Sequence, residues 1–288
     1  MEILALRYFC HAAETESFSK VAAKFCVPTS SISQVIKRIE DEVGAELFVR
    51  LGNRVRLSEP GKIFYERVRG AVAELDDAAR ELKEGSKKVW GEICLLVLSE
   101  RRIVADVIES FMKDYPDVTF TIDHTNEKRK NFNAYDLTIS SLSEAEKGTV
   151  KLPFIKEKML LAIPLGHPIS KLNNIQPKDL ANERFITMND ESPLYSTTID
   201  IFHSLGIDPK ISIKCDDPSL IHRYVEIGLG LAIVPSVSWR DAFSERVKLY
   251  PLEGFFRTAY IYHRKNDNMP IRVKLFLEHL LKYSNISQ

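Results

Sequence analysis

The sequence predicts an α/β protein in three successive parts: a small helical unit ending in a β-hairpin, one long helix, and a larger unit of alternating strands and helices. Three observations support this division. Apolar residues recur at helical spacing in residues 4–43, a heptad-like repeat runs through residues 61–82, and short β-branched runs alternate with helical segments from Trp90 onward. These periods are the main sequence signals for amphipathic helices and for strands lying between helices.

A helix over residues 29–43 has one apolar and one polar face. Pro28 or Thr29 can begin it, and Gly44 can end it. Its polar face offers short hydroxyls, an amide and cations, groups that suit base edges and phosphates in a DNA groove. The apolar residues, at steps of three and four that put them on one side, are Ile32, Val35, Ile36, Ile39 and Val43.

The neighbouring segments extend this helix into a motif. Upstream, Ser17 can cap a short helix ending at Phe25, with the small Ala22 and Ala23 where two helices would cross, which indicates a helix-turn-helix. Downstream, residues 47–50 and 54–57 flank a Gly-Asn turn and predict a hairpin with a basic face. An ordinary amphipathic helix beside an ordinary hairpin is the alternative, but the order of elements favours DNA binding. The predicted DNA contacts are Ser19, Thr29, Ser30, Ser33, Gln34, Lys37, Arg38, Arg50, Arg54 and Arg56.

With these elements in place, the sequence resembles the LysR-type transcriptional regulators, densely over the first third and more loosely to the end. The resemblance implies a DNA-binding regulator that forms a homodimer or homotetramer, with RNA polymerase as a further possible partner. The sequence departs from the family pattern at Pro28, where a Ser or Thr cap is usual, and at Pro60, where a small residue is usual. The residues that carry it are Leu6-Arg7-Tyr8-Phe9, Ser17-Phe18-Ser19, Ala22-Ala23, Ser30 to Ser33, Ile36 to Glu40, Gly44, Leu47 to Arg50 and Leu57 to Gly61.

Composition narrows the class of protein further. The chain has 288 residues and equal numbers of acidic and basic residues, 40 of each, and the two signs also balance within residues 1–60. DNA affinity must therefore come from where the cations lie. The start of the chain predicts no signal peptide, and no segment is long enough to span a bilayer, so we expect a cytoplasmic protein. Cys10, Cys26, Cys94 and Cys215 form no metal-ligand pattern.

The long helix is predicted to start after Ser58 and to form a linker over residues 59–87. Its apolar and small residues alternate steps of four and three, which is typical of a helix-pairing seam. A surface helix packed on its own core is the alternative. The charged flanks leave only a narrow stripe to bury, so pairing with a second copy is favoured, as the resemblance also implies. The predicted dimerisation residues are Tyr65, Val68, Val72, Leu75, Ala79 and Leu82.

The third part, residues 88–288, should contain parallel sheets covered by helices. The resemblance implies an effector-binding domain of the periplasmic-binding-protein-like type, with two α/β lobes and a ligand between them. One lobe would comprise about 88–162 and 265–288 and the other about 163–264. The strands that cross between them are expected near 161–164 and 262–266. The winged helix-turn-helix would occupy residues 1–58.

Ligands of open α/β sheets bind beyond the carboxyl ends of strands, beside free helix N-termini. Arg101 and Arg102 together with hydroxyls at such strand ends predict a small anionic effector. Glu100 and Asp190 or Glu191 favour an amine instead, and the serines could simply cap helices. The predicted effector-binding residues are Ser99, Arg101, Arg102, Ser140, Ser141, Thr187, Asn189 and Ser192.

No catalytic motif and no ligand-like histidine spacing occur, so neither an enzyme nor a metal or other cofactor is predicted. The main hypothesis is a ligand-responsive transcription regulator that binds double-stranded DNA. A regulator with a vestigial sensor that acts only in oligomerisation remains as an alternative. A solute-binding or enzymatic domain fused to a DNA-binding module is less favoured. The sequence names neither the effector nor the operator, and it does not separate activation from repression.

Overall fold

The computed structural model describes residues 1–51, 54–84, 89–124, 135–142, 148–265 and 269–286. The chain divides into two compact units, Met1–Val89 and Trp90–Gln288. The elements of the first unit are α1 (Ile3–Thr15), α2 (Phe18–Phe25), α3 (Thr29–Val43), β1 (Phe48–Leu51), β2 (Arg54–Leu57) and α4 (Glu59–Glu84). The predicted helix-turn-helix, hairpin and long helix are therefore all present in this order.

Local signals explain where these helices start and stop. The Ser17 side chain accepts a hydrogen bond from the backbone N–H of Lys20 at 3.4 Å, as an N-cap should. Cys26 and Gly44 end α2 and α3 in the left-handed conformation. Pro28 stands at the N-cap of α3 without a side-chain cap bond, so the departure from a Ser or Thr cap leaves that terminus without a side-chain cap.

The core of the first unit is aromatic. Phe9 is fully buried on α1, and its ring lies 5.6 Å from Phe48 and 5.1 Å from Phe64. Ile32, Ile36 and Ile39 of α3 are buried against the same cluster. The sequence places Val43 on this buried face, but Val43 is 37% exposed, because it lies in the last turn of α3, beyond the cluster.

The predicted dimerisation residues of α4 differ in their burial. Val68 and Val72 are buried in the core of their own unit, and Tyr65 packs against it. These three positions therefore hold α4 on its own domain, which is the less favoured of the two interpretations of the repeat. Leu75 is 45% exposed and Ala79 is exposed. The side chain of Leu82 lies outside the described residues.

A different apolar stripe of α4 is open to solvent. Ile63 is 62% exposed, and Gly70, Ala71, Leu75 and Ala78 are exposed on the same side of the helix. Steps of three, four and seven residues place them along one face. Of the predicted dimerisation residues, Leu75 belongs to this exposed stripe, and the exposed Ala79 lies one turn further along the helix.

The second unit alternates strands and helices, with a 3₁₀ turn at Pro168–Lys171. Its elements are β3 (Gly91–Val97), α5 (Arg101–Asp114), β4 (Val118–Asp123), β5 (Leu137–Ser140), β6 (Thr149–Pro164), α6 (Pro177–Leu180), β7 (Arg184–Met188), α7 (Pro193–Ser204), β8 (Lys210–Cys215), α8 (Pro218–Glu226), β9 (Ala232–Pro235), β10 (Val247–Arg264) and α9 (Ile271–Ile286).

The sheets are mixed, whereas the sequence predicts parallel sheets. One six-stranded sheet has the order β4-β3-β5-β10-β6-β9, and β7 pairs with β8 in a second sheet. The pairs β3–β4, β3–β5 and β7–β8 are parallel, but β10 and β6 run antiparallel to their neighbours. The prediction fails because residues 247–264 form one long strand, which the sequence pattern does not reveal.

The two long strands cross between the lobes. Residues 260–262 of β10 pair with β5, whereas residues 159–162 of β6 pair with β9. The register between β6 and β10 shifts between Pro251 and Phe256, and the core of the second lobe begins at Met159. The crossing therefore lies near residues 157–159 and 251–257, several residues before the positions predicted on both strands. Among the described helices, none is long and apolar enough to cross a membrane.

Candidate DNA-binding face and ligand cleft

The outer face of α3 carries the predicted DNA contacts. Thr29, Ser30, Gln34, Lys37 and Arg38 are exposed, and Ser33 is half-buried. Ser19 on α2 is exposed as well. The same helix turns Ile32, Ile36 and Ile39 into the core, so its orientation leaves the polar groups outward. An exposed row of hydroxyl, amide and ammonium groups on one helix can enter a major groove and bond to base edges.

The β1–β2 hairpin, called the wing from here on, is fixed to α3 by the carboxylate of Glu40. The sequence pattern does not indicate this role for Glu40. Glu40 Oε1 accepts the backbone N–H groups of Leu47 at 2.8 Å and Phe48 at 3.1 Å. A bond from the end of α3 to the start of β1 sets where the hairpin begins. Gly61 then allows α4 to approach, because a Cβ there would lie 2.0 Å from the Leu47 carbonyl oxygen.

The predicted wing arginines lie on or beside the strands of the hairpin. Arg56 is exposed, and its Nε lies 3.7 Å from a Glu16 carboxylate oxygen. The backbone of Arg50 and Arg54 belongs to β1 and β2, but their side chains lie outside the described residues.

In the second unit, a cavity of about 350 Å³ opens between the two lobes. Its wall includes the starts of three helices: residues 98–102 before and within α5, Ser192 and Leu194 at α7, and residues 217–219 at α8. Helix N-termini present free backbone N–H groups and a partial positive charge. This partial charge favours an electronegative group in the cavity and is opposed at the start of α8 by the Asp217 carboxylate, which also lies in the wall.

Half of the predicted effector residues line this cavity, namely Ser99, Arg101, Arg102 and Ser192. Ser192 Oγ accepts the N–H of Leu194 at 3.2 Å, so it acts as a helix cap, as the alternative interpretation holds. The two arginines are engaged with backbone carbonyls. Arg101 donates to His124 O at 2.9 Å and Arg102 to Arg240 O at 2.5 Å.

The other four predicted effector-binding residues are not among the described residues that line the cavity. Ser140 is fully buried and accepts the N–H of Leu142 at 3.2 Å, and Asn189 donates its N–H to Cys215 O at 2.8 Å. Ser141 and Thr187 have buried hydroxyls without a hydrogen-bond partner among the described residues. These four residues lie at strand ends, as predicted, but they are not part of the cavity wall.

The floor of the cleft holds a buried ionic cluster that sequence reasoning missed. Arg257 of β10 donates from Nη2 to Glu100 Oε1 at 2.8 Å and to Ser238 Oγ at 2.8 Å, and from Nε to Glu157 Oε1 at 3.1 Å. Glu157 Oε2 also accepts the backbone N–H groups of Val237 and Ser238 at 2.8 and 2.9 Å. Glu157 and Arg257 lie on the crossing strands, so this cluster joins the cavity wall to the hinge between the lobes.

The matches to known families cover both units. Residues 3–62 match the bacterial regulatory helix-turn-helix protein model of the lysR family, and residues 91–285 match the LysR substrate binding domain. The chain belongs to the LysR family. It is a DNA-binding transcription regulator with a substrate-binding domain and not an enzyme.

Relatives of this LysR-type chain extend along its whole length. It is 27% identical to the transcriptional dual regulator GltC of Bacillus subtilis, over 98% of the chain and 97% of GltC. Among solved structures it resembles a full-length OxyR variant from Pseudomonas aeruginosa, with a TM-score of 0.78, 19% identity and coverage of 99% and 95%. The effector binding domain of QuiR in complex with shikimate also resembles this chain, with a TM-score of 0.60 and 24% identity. The match covers 69% of this chain and 99% of the QuiR domain.

The electrostatics of the cleft follow from burial. Burial raises the pKa of Glu100 to about 8, although the Arg257 guanidinium opposes this effect. Glu157 is also penalised by burial, but Arg257 and the two backbone N–H groups outweigh that penalty and lower its pKa. Burial lowers the pKa of His222, whose ring lies 4.5 Å from Trp239 and 4.7 Å from Phe243. Its Nε2 is buried without a partner among the described residues.

Proposed function

We propose that this LysR-type regulator binds its operator through the outer face of α3 and the wing, and changes its DNA binding when a small anionic molecule occupies the cleft. The observation that carries the ligand proposal is the meeting of three helix N-termini at one cavity. Beside them lie Arg101 and a Ser99 hydroxyl that has no hydrogen-bond partner among the described residues. Such groups stabilise a carboxylate or phosphate.

The QuiR domain, a structural relative whose structure contains shikimate, supports a small-molecule ligand for this fold. The amine alternative loses support because Asp190 is paired with Lys214 at 2.6 Å, outside the cavity wall. A vestigial sensor is disfavoured because its cavity would be expected to close or to fill with apolar side chains. Here buried polar atoms remain at the wall.

A test of the ligand proposal uses the full-length protein and a panel of small organic acids. A binder at about one hundred times its Kd should stabilise the protein by about 2.7 kcal/mol through mass action. Ser99→Ala should reduce that stabilisation, whereas Ser204→Ala, an exposed position on α7, should not. A stable protein that binds DNA but is stabilised by no member of the panel would contradict the ligand proposal.

We also propose that two copies pair through the exposed stripe of α4 that contains Ile63, Ala71, Leu75 and Ala78. An apolar stripe of this kind is unfavourable in water and suits helix–helix contact. Leu75→Glu would place a charge in that contact and should weaken assembly and operator binding together.

Sedimentation measures this assembly. The control Lys62→Glu introduces the same residue at a partly exposed position on another side of α4, and it should leave assembly intact. An unchanged sedimentation profile for Leu75→Glu would reject the stripe as the pairing surface.

A further inference from the structure

We propose that Glu100 contacts the ligand directly, as a neutral carboxylic acid whose Oε2 hydroxyl donates a hydrogen bond to a carboxylate of the ligand. This inference rests on the proposed function, because it concerns the same cleft and specifies how the ligand is recognised. Glu100 then determines specificity, a role that the sequence pattern assigns to the neighbouring arginines.

The geometry leaves one oxygen of Glu100 available. The residue is 2% exposed, and its Oε1 accepts from Arg257 Nη2 at 2.8 Å. Oε2 is buried and has no hydrogen-bond partner within the described ranges, although Glu100 lines the cavity. A buried polar atom without a partner is destabilising, so a ligand that bonds to Oε2 would relieve that cost.

The backbone of Glu100 also departs from ordinary geometry. Its φ of 57° places a residue with a side chain in the left-handed region, immediately before α5 begins. This conformation is costly for residues other than glycine and is found at ligand-binding sites. It carries the Glu100 side chain to the cavity while its carbonyl still accepts the first bond of α5, from the Val104 N–H at 2.9 Å.

The charges around Glu100 favour its neutral form. One guanidinium, Arg257, faces two carboxyl groups, and Glu157 keeps its charge because backbone N–H groups also bind it. The pKa of Glu100 is accordingly about 8, with burial as the largest cause, Arg257 opposing and Glu157 reinforcing. The remaining charged or titratable groups of the cavity wall are Arg101, Arg102, Asp217 and His222.

Those remaining groups do not replace Arg257 as a counter-ion. Arg101 and Arg102 are bound to backbone carbonyls, Asp217 accepts from Ser219, and His222 has a lowered pKa. With the proton on Oε2, Glu100 and Ser99 each supply an O–H donor without a partner among the described residues, beside the partial positive charge at the start of α5. Both hydroxyls are donors, and a carboxylate is the small group that accepts from several donors at once.

Proton balance gives this proposal a measurable signature. Above about pH 8 the free protein has lost the Glu100 proton, and a carboxylate can bind only if that proton is taken up from solvent. The affinity for a carboxylate should therefore fall about tenfold for each pH unit above that value. An ionised Glu100 that accepts from a ligand amine would give the opposite dependence.

The experiment is calorimetry of the full-length protein against acetate, lactate, succinate and benzoate, with ethanolamine as the cationic probe. Titrations at about pH 7 and about pH 9.5, in two buffers of different ionisation enthalpy, count the protons taken up. Glu100→Gln keeps a donor in place of the hydroxyl and should bind within about threefold of the parent near neutral pH, without pH dependence. Glu109→Gln, an exposed change on the same helix, should keep the parent pH dependence.

The ligand-free protein provides a second readout. With ¹³C-labelled glutamate carboxyl groups, one resonance should titrate near pH 8 and should be missing in Glu100→Gln. Titration of all glutamates below about pH 6 would overturn the proposal. Carboxylate binding that ignores pH and Glu100→Gln would overturn it too, but would leave the proposed anionic ligand intact. Preferential binding of ethanolamine would overturn both this proposal and the anionic character of the proposed ligand. If no probe binds while operator binding persists, the ligand part of the proposed function fails as well.

Discussion

The outer face of α3 and the floor of the cleft hold polar groups under opposite conditions. On α3, Gln34 and Lys37 are exposed and hydrated, and their helix is held by apolar residues on its other side. In the cleft, Glu100 and Arg257 are at most 5% exposed and are held mainly by each other and by Glu157. The first surface can lose a polar group with little change in stability, whereas loss of one partner of the buried ion pairs in the second should be strongly destabilising. Recognition of DNA and recognition of the ligand should therefore respond differently to substitution.

The largest effect is expected for Arg257→Ala. This change leaves the Glu157 carboxylate buried without its cation, which typically costs about 3–5 kcal/mol of unfolding free energy. Urea denaturation followed by circular dichroism measures it. Arg240→Ala, which removes an exposed side chain and keeps the carbonyl that Arg102 uses, is the control and should change stability little. A loss below about 1 kcal/mol for Arg257→Ala would mean that the cluster is hydrated in solution.

The second prediction concerns pH. Folded Glu100 keeps its proton up to about pH 8, whereas its unfolded form loses it near 4.5. Between these values the folded state binds more protons, so the unfolding free energy should fall as the pH rises. Glu157, with its lowered pKa, acts in the other direction, and its contribution is lost progressively as the pH falls below about 4.5.

Denaturation of the parent and Glu100→Gln across this range separates the two carboxyl groups. The downward slope between pH 4.5 and about 8 should be weaker in Glu100→Gln, since its amide does not titrate. Parallel stability curves for the two proteins would show that Glu100 is ionised in the folded state. The carboxyl group of Glu100 would then behave like an exposed one, despite its burial in the cleft.

The third prediction tests the α3 face. Gln34→Ala should cost about 1–3 kcal/mol on the operator and little on scrambled DNA, because an amide reads base edges. Its thermal stability should match that of the parent. Titration of both DNAs by fluorescence anisotropy measures the difference. Equal losses on operator and scrambled DNA would assign Gln34 to phosphate contact.

The smallest effect is expected for Arg56→Ala on the wing. Its loss should weaken all DNA sequences about equally and reduce the slope of log affinity against log salt by about one. Glu16 lies within 3.7 Å of Arg56, so Glu16→Gln should release the arginine and have the reverse effect. An unchanged salt slope in Arg56→Ala would place this residue away from the DNA backbone.

The two sites also differ in how far the sequence predicts them. The α3 face lies within a single helix, and its period of three and four residues indicates which side faces outward. The same kind of period on α4 is misleading at Val68 and Val72, because a repeat shows which residues are buried but not what covers them. In this chain the cover is the aromatic cluster around Phe9.

The cleft is only half predicted because it is assembled from distant segments. The strand-end pattern indicates Ser99 and Arg101, which line the cavity. Glu157 and Arg257 are separated by 100 residues and meet only through the pairing of β6 with β10. One signal is available in the sequence. Glu157 and Arg257 each interrupt the hydrophobic alternation of a segment that is otherwise strand-like, and a charge at an inward position requires a partner.

The last described helix, α9, has a consequence for how the protein is made. Phe276 of α9 lies 5.1 Å from Phe111 and 5.0 Å from Phe120, so it completes a core whose other aromatic rings are synthesised much earlier. A ribosome adds about 5–20 residues per second, and residues 1–89, which form a contiguous unit, emerge before this core can close. A chain truncated before α9 would thus retain the segment that binds DNA without a finished sensor. Only translation to the end of α9 would complete the second unit, on which the proposed control of DNA binding by a ligand depends.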